Sequence, residues 1–297
     1  MRCEDLTPGG ATILVAVASV GVGSAALFVR PLRDAGIAPL SLAFFRYAIT
    51  ALILIRTLDF SGEKRTATCW GLAAGAAAGL GWIAYADALG TVDLATTGVA
   101  YMTYPIFALV ACRLVFGRHP GARSTVGGLL VVLAAAVALG PTALLEVSPM
   151  LFLAPATFGF SIAVLTERLG VLHPSERLGA VATGATLTLG PLLFSLPKNQ
   201  VVPSTPGSWA LLIGVAIGCG LVPMWIYGAA APRIGSARTG VAGAAELPTM
   251  FIIGALVFGE AIKPQHLVAA AIIMASIALT PSIRTSGYRE VHQTEAR

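Results

Sequence analysis

The sequence predicts an all-α integral membrane protein, with ten transmembrane helices arranged as two inverted five-helix repeats. Three observations lead to this fold class. Hydrophobic residues make up 56% of the 297 residues and charged residues only 11%, against about 25% in globular domains, and the mean hydropathy is +0.83. The apolar residues are grouped into ten runs. The two halves of the chain align with each other at an offset of 142 residues.

The first half contains five apolar runs, each close to the roughly 20 residues that a helix needs to cross a bilayer. Spans 1 to 5 cover residues 11–29, 38–55, 70–89, 95–116 and 124–141. The connections between them are short and carry most of the charge and the turn residues, as in residues 59–65. We therefore expect residues 1–10 to form a cytoplasmic tail and residues 11–141 to form the first five-helix repeat.

The second half repeats this organisation. Spans 6 to 10 cover residues 149–166, 178–196, 209–231, 237–258 and 265–281. We expect residues 149–281 to form the second repeat and residues 282–297 to form a cytoplasmic C-terminal tail. The short connections leave no room for a soluble catalytic domain.

The basic residues between the spans predict the orientation in the membrane. With the N-terminus inside, the outer side receives four of the 19 basic residues, and one more, Arg46, lies within span 2. The inner side receives the other 14: Arg2, Arg56, Lys64, Arg65, Arg113, Arg118, Arg123, Arg168, Arg177, Arg233, Arg238, Arg284, Arg289 and Arg297. This bias follows the positive-inside rule and predicts a multi-pass membrane protein with both termini in the cytoplasm. We expect the membrane to be a bacterial inner membrane. The basic residues form no continuous stripe, so a nucleic-acid partner is not expected.

The internal repeat predicts a mechanism as well as a fold. At the offset of 142 residues, 97–100 (TGVA) falls on 239–242 and 114–117 (LVFG) falls on 256–259, while Tyr85 falls on Tyr227. Because each half has an odd number of spans, the halves enter the membrane in opposite directions. Inverted repeats of this kind form alternating-access transporters, with the substrate site near the midplane between the halves.

Two segments resemble a known family. Residues 247–260, from LPTM to FGE, look like the Pro-to-Gly-Glu segment of EamA-type members of the drug/metabolite transporter superfamily, and residues 44–47 (FFRY) resemble its aromatic-Arg-aromatic pattern. The match in span 4 ends on Arg118 where the family has Glu, and residues 21–23 (GVG) replace its frequent Trp-Gly. The resemblance implies a ten-helix carrier with cytoplasmic termini, usually an exporter of metabolites such as amino acids.

Two ionisable residues inside the predicted spans are candidates for transport, because a charge at the bilayer centre costs about 2.5–3.5 kcal/mol or more. Glu246 in span 9 is expected to bind a proton or an ammonium group of the substrate. Arg46 in span 2 is expected to hold the geometry of the cavity or, alternatively, to anchor helix ends and carbonyl groups. Their repeat partners are Tyr104 and Thr188, so neither charge is required by the scaffold alone.

Aromatic residues and prolines complete the candidate site. The aromatic residues of spans 3, 4, 8 and 9 offer faces on which a cation or a flat ring can stack, although packing or interfacial roles are the alternative. They are Trp82, Tyr85, Tyr101, Tyr104, Trp225 and Tyr227. Pro105 and Pro248 lie in matching spans of the two halves and are predicted to mark helix bends that line a cavity.

Other function classes have less support in the sequence. The scattered cysteines and histidines show no metal-ligand spacing, so no metal and no cofactor are expected. An intramembrane lipid enzyme would need a polar catalytic cluster, and only residues 173–176 (HPSE) come near one; they are more typical of a turn and a helix start. A non-transporting membrane partner and an uptake carrier remain alternatives. The expected partners are a small-molecule substrate, the lipid bilayer and coupled protons, with the chain acting as a monomer or a homodimer.

Overall fold

The computed structural model describes residues 7–117, 122–146, 150–227, 229–230, 242–243 and 245–279. Both predicted tails lie largely outside these residues, as do Arg118 and the whole connection between spans 8 and 9 with the end predicted for span 8 and the start predicted for span 9. The start predicted for span 6 and the end predicted for span 10 also lie outside them. Throughout the described part of the chain the regular secondary structure is helical. The predicted all-α fold is confirmed.

The helices of the first half follow the predicted spans with two differences. Their bounds are α1 Pro8–Gly23, α2 Ala26–Asp34, α3 Pro39–Leu54, α4 Lys64–Thr91, α5 Leu94–Tyr101, α6 Tyr104–Phe116 and α7 Ala122–Glu146. Span 1 is divided into α1 and α2 by a turn, and span 4 is divided into α5 and α6. Span 3 begins earlier than expected, because the polar start of α4 extends it beyond the apolar run.

The second half contains the matching helices. Their bounds are α8 Met150–Glu167, α9 Pro174–Leu192, the short α10 Lys198–Val201, α11 Pro206–Ala216, α12 Glu246–Phe258 and α13 Pro264–Leu279. A π-helical turn, Ile217–Leu221, follows α11, and span 8 continues as a helix to Tyr227. Among the described residues, six helical segments are long and apolar enough to cross a membrane, and shorter apolar helices correspond to spans 5, 6, 9 and 10.

Equivalent helices of the two halves end in the same way. Gly117 ends α6 with φ 65°, and Gly259 ends α12 with φ 67°. A residue in this left-handed conformation is a common helix terminator, and glycine adopts it without a Cβ clash. The two glycines are 142 positions apart, so the repeat seen in the sequence is also present in the local backbone.

Each repeat packs its third span against the first two spans of the other repeat. In one direction α4 of span 3 packs on α8 and α9, which form spans 6 and 7. In the other direction α11 of span 8 packs on α2 and α3, which belong to spans 1 and 2. The pairs α7–α13 and α5–α12 each join equivalent spans. The chain is therefore built from two inverted five-helix repeats that pack against each other.

Glycines allow α4 and α9 to approach closely. A Cβ atom on Gly75 would collide with the backbone of Val181, and one on Gly184 would collide with the backbone of Leu72. Helices in lipid associate through such close packing, because lipid tails provide no hydrophobic driving force between them. The α4–α9 pair thus forms a rigid contact between the halves.

The outer surface is apolar, as a lipid-exposed surface must be. Leu114 is 78% exposed and its repeat equivalent Leu256 is 81% exposed. The main hydrophobic core lies between the halves and includes Trp82, Tyr85 and Met250. The candidate aromatic residues of span 3 are therefore placed where the two repeats meet.

Candidate functional site

Spans 4 and 9 both restart as helices at the candidate site. In span 4, Met102 and Thr103 interrupt the helix, and α6 begins at Tyr104. In span 9, α12 begins at Glu246 after a turn at Ala245. Tyr104 and Glu246 are repeat equivalents, so the structure places both at the N-terminus of a helix inside a span. Helix N-termini carry a partial positive charge that interacts favourably with anionic groups.

The two candidate prolines lie just after these restarts. Pro105 is the second residue of α6 and Pro248 is the third residue of α12. The first N–H groups of a helix have no intrahelical acceptor, so proline is tolerated there without loss of a hydrogen bond. The interruption in span 4 therefore lies immediately before Pro105. It is a break between two helices and not a kink within one.

Glu246 is a buried carboxyl group with little compensation. Its residue is 6% exposed, and its one side-chain hydrogen bond among the described residues comes from the Tyr85 hydroxyl, at 3.5 Å from Oε1. The same hydroxyl is 3.9 Å from the Met250 sulfur. The nearby Arg46 guanidinium also interacts electrostatically with this carboxyl group, but Glu246 forms no ion pair among the described residues. Because burial of a charge is costly, the carboxyl group still favours binding a proton or a cation.

Four of the predicted aromatic residues form a continuous wall beside Glu246. The ring centroids of Tyr85 and Tyr101 are 4.7 Å apart, those of Trp82 and Tyr85 are 6.1 Å apart, and those of Tyr101 and Tyr104 are 6.0 Å apart. The phenols of Tyr101 and Tyr104 also interact electrostatically with Glu246. The wall thus combines π faces, hydroxyl groups and one carboxyl group, which suits an organic cation.

Phe158 of α8 belongs to the same wall and was missed by the sequence analysis. Its ring lies 5.4 Å from that of Tyr101 and 5.0 Å from that of Tyr104. Its repeat equivalent is Ala16, so the repeat gave no signal. A single phenylalanine in an apolar span is also typical of lipid-facing positions, and only the packing of α8 against α6 assigns it to the site.

Arg46 has the geometry of an anchor. It is 7% exposed, and its Nη2 donates to the carbonyl oxygen of Cys219 at 3.2 Å. The guanidinium carbon lies 4.7 Å from the Trp82 ring centroid and 5.2 Å from that of Tyr47. A Cβ on Gly220 would be 3.3 Å from Nε. Arg46 thereby connects α3 to the π-helical turn of span 8 and to the aromatic wall, in agreement with the anchoring alternative.

The two aromatic candidates of span 8 lie in different places. Trp225 is 51% exposed and is not brought into the wall, because its helix turns it toward the surface, where the interfacial alternative applies. Tyr227 lies close enough to Glu246 and Tyr104 for electrostatic interaction. Its hydroxyl is 2.7 Å from the Ser19 hydroxyl. The only sequence signal for Ser19 was its repeat partner, Ser161.

A polar network closes the predicted outer end of the bundle. Arg30 donates to the carbonyl of Leu89 at 2.7 Å, to that of Val92 at 3.2 Å and to Glu260 at 2.5 Å. The other Glu260 oxygen accepts from the backbone N–H of Leu94 at 2.7 Å. Spans 1, 3, 4 and 9 are joined here by side chains of one ion pair.

A second network lies at the predicted inner end. Lys64 is 3.1 Å from Asp59 and 2.8 Å from Glu176. Glu176 also accepts from the backbone N–H of His173 at 2.7 Å and forms a capping box at the start of α9. Hydrogen bonds from Ser61, together with the nearby Lys64, lower the pKa of Asp59 to about 2. The polar stretch 173–176 is therefore a helix start, as expected from its sequence.

Two cavities open at these ends of the bundle. One, of about 400 Å³, is lined by residues that include Arg30, Asp93 and Glu260. The other, of about 280 Å³, is lined by Phe116, Gly117, Glu167 and Arg168. Neither is lined by Glu246. Over the described residues, no group of three or more histidine, cysteine or acidic side chains has the arrangement of a metal site.

Comparison with known proteins identifies a family. A family model described as the EamA-like transporter family matches residues 10–140 and 148–281. A solved structure titled "Crystal structure of protein" is 18% identical, with a TM-score of 0.59 over 91% of this chain and 96% of its own. That likeness concerns the fold alone. No curated protein matches the chain significantly.

Proposed function

The chain belongs to the EamA-like transporter family, whose members carry small solutes across membranes, and on this premise we propose that it is a secondary active exporter of amino acids or related metabolites. Transport occurs by alternating access of a site between the two inverted repeats. The protein resides in a bacterial inner membrane with both termini in the cytoplasm. Its basic residues follow the positive-inside rule in this orientation.

One observation carries the proposal: the Glu246 carboxyl group is buried, has a single hydrogen bond of 3.5 Å to any residue that the structure describes, and lies beside a wall of aromatic rings. A purely structural carboxylate at such a position is expected to have an ion pair or several hydrogen-bond donors. In the proposed mechanism a ligand takes this role. An ammonium group of the substrate or a proton satisfies the carboxylate, and the rings of Tyr85 and Tyr101 stabilise a cation through their π faces.

The other residues have supporting roles in this mechanism. Arg46 fixes the π-helical turn of span 8 against Trp82 and so keeps the wall in place. Tyr104 stands at the repeat position of Glu246 and interacts with it electrostatically. Because proton and ammonium compete for one carboxyl group, the site supports exchange of a substrate for a proton.

The test is flux through the purified protein in liposomes, with a panel of radiolabelled amino acids and imposed pH gradients. Glu246→Gln keeps the side-chain size and removes the charge. We expect it to lower substrate flux at least about tenfold, equivalent to about 1.4 kcal/mol, and to flatten the pH dependence of any residual flux. The matched control is Glu63→Gln, an exposed carboxylate at the start of α4, which is expected to leave flux unchanged.

Two outcomes contradict the proposal. Normal flux with the same pH profile in Glu246→Gln would show that the carboxyl group is only part of the packing. Inward accumulation driven by the physiological proton gradient would show an uptake carrier in place of an exporter. Oriented liposomes distinguish these directions, because substrate is then offered from one known side.

A further inference from the structure

One of the hydrogen bonds that join the two repeats lies beside the candidate site and involves two hydroxyl groups. Ser19 of α1 is 0% exposed, and its hydroxyl donates to the carbonyl of Val15 at 2.8 Å. A serine hydroxyl has one proton, so the contact of 2.7 Å with Tyr227 is one in which the tyrosine donates and Ser19 accepts. The bond links span 1 of the first repeat to span 8 of the second.

A glycine makes this contact possible. An ideal Cβ on Gly243 would lie 2.8 Å from the Tyr227 hydroxyl oxygen and 4.0 Å from the Ser19 hydroxyl oxygen. Any larger residue at 243 would displace the tyrosine. The repeat equivalent of Gly243 is Tyr101, whose ring stacks 4.7 Å from that of Tyr85.

The repeat equivalents of Ser19 and Tyr227 are Ser161 and Tyr85. They are the same residue types, but they do not form a hydrogen bond with each other. The Ser161 hydroxyl lies 2.9 Å from the carbonyl of Thr157, a position like that of Ser19 near Val15, and 2.9 Å from the carbonyl of Ala74. Its one proton can be donated to either oxygen. Its counterpart Tyr85 donates instead to Glu246. A contact made in one repeat and absent from the other is the asymmetry that an alternating-access protein of inverted repeats requires.

The hydrogen-bonded pair of Ser19 and Tyr227 is connected to the candidate site through α1. Gly23 lies one helical turn after Ser19, and a Cβ on Gly23 would be 2.8 Å from the carbonyl oxygen of Glu246. The N-terminus of α12 therefore lies directly against α1.

We propose that the Ser19–Tyr227 hydrogen bond is the gate contact that closes the site on the side where span 8 ends, with Ser19 and Gly243 as positioning residues for Tyr227. The proposal rests on the alternating access put forward above. In the open state Tyr227 turns to Tyr104. That contact is the repeat equivalent of the one that Tyr85 now makes with Glu246. The phenol of Tyr227 is partly buried, and a polar group within the protein is normally hydrogen-bonded, so a second partner is expected when it leaves the first.

The experiment measures opening without a substrate. Ala16 lies on the same helix as Ser19, and Ala16 and Tyr227 are both partly buried against one small apolar cluster. An Ala16→Cys reporter in a background without native thiols is therefore expected to become more reactive when the gate opens. Inside-out and right-side-out vesicles are treated with a membrane-impermeant thiol reagent. We expect Tyr227→Phe and Ser19→Ala each to raise the labelling rate from the inner side about 2- to 12-fold, the range for one hydrogen bond.

Further variants separate a gate from general loosening. The double variant is expected to label no faster than either single variant, since both remove the same bond. Gly243→Ala is expected to act in the same direction by displacing Tyr227. The matched controls are Ser161→Ala, the repeat equivalent of Ser19, and Gly218→Ala, whose Cβ meets open space; both are expected to leave labelling unchanged.

The proposal is overturned by unchanged labelling in Tyr227→Phe, or by an equal rise in Ser161→Ala. It is also overturned when labelling rises equally from both sides of the membrane. Tyr227→Phe keeps the ring, and gel filtration with a thermal melt in detergent identifies any variant that fails to fold. Because the labelling experiment uses no substrate, its result does not depend on whether the protein transports amino acids.

Discussion

Arg46 combines contacts that require a planar cation. Its guanidinium donates to the Cys219 carbonyl while it lies against the rings of Trp82 and Tyr47. An ammonium group is a compact point charge, which neither stacks in this way nor keeps the same donor direction. The residue therefore holds the π-helical turn by shape as well as by charge.

The corresponding prediction is that Arg46→Lys lowers the free energy of unfolding by about 1–3 kcal/mol, the range for a charge-assisted hydrogen bond and a desolvated cation–π contact. Thermal unfolding in detergent measures the change, and flux is expected to fall with it. Arg65→Lys, at an exposed position of α4, is the control. Equal stability of the two variants would show that the Cys219 contact contributes nothing.

Asp59 provides a prediction about pH in the connection between spans 2 and 3. Hydrogen bonds from Ser61 and the Lys64 charge lower its pKa in the folded protein to about 2, below the usual value of about 3.9. A carboxylate with a lowered pKa stabilises the fold above its unfolded pKa, and the stabilisation is lost as the pH falls through the folded value.

We therefore expect the difference in melting temperature between the wild type and Asp59→Asn to be constant above about pH 4 and to shrink between about pH 4 and pH 2. Melts in an acid-stable detergent across this range provide the measurement. A difference that already vanishes at pH 6 would contradict the assignment, because it would place the titration on another group.

At the scale of elements, the contact between α4 and α9 depends on glycine. A side chain on Gly75 would meet the Val181 backbone, which has no rotamer by which to move aside. Gly75→Ala is expected to destabilise the protein by about 3 kcal/mol, the upper part of the range for overpacking. The measurement is the melting temperature by fluorescence-detected gel filtration.

The control for this prediction is Gly170→Ala, since a Cβ at Gly170 meets nothing within 4 Å. Its melting temperature is expected to stay close to that of the wild type. A Gly75→Ala variant as stable as the control would mean that α4 and α9 separate without cost, contrary to the close packing described above.

The elements also show what the sequence could and could not predict. The ten spans follow from hydropathy, because lipid selects apolar residues irrespective of tertiary detail. The break in span 1 and the position of the break in span 4 were not predicted, since the break precedes Pro105 and does not coincide with it. Glu246 and the tyrosines stood out chemically, whereas Phe158 and Ser19 are ordinary residues in apolar spans. Only packing assigns them to the site.

At the scale of the whole molecule, the prediction concerns orientation. In a background without native thiols, an impermeant reagent added to intact cells is expected to label Ser204→Cys and not Glu63→Cys, both exposed positions in connections. Pro203 is unsuitable as a reporter because it is buried. Permeabilised cells, in which both positions should react, serve as the control. The reverse pattern would place both termini outside and contradict the predicted orientation.

The one buried carboxyl group that the structure describes between the repeats also bears on the stoichiometry of transport. Among the buried residues that the structure describes, Glu246 is the one with a carboxyl group, and the duplicated position holds the phenol of Tyr104. The two halves thus share one buried carboxyl group for binding. If Glu246 is the exchanging group, each cycle moves one cation in each direction, and the ratio of protons to substrate is one to one. A second acid at 104 would change that ratio without changing the scaffold.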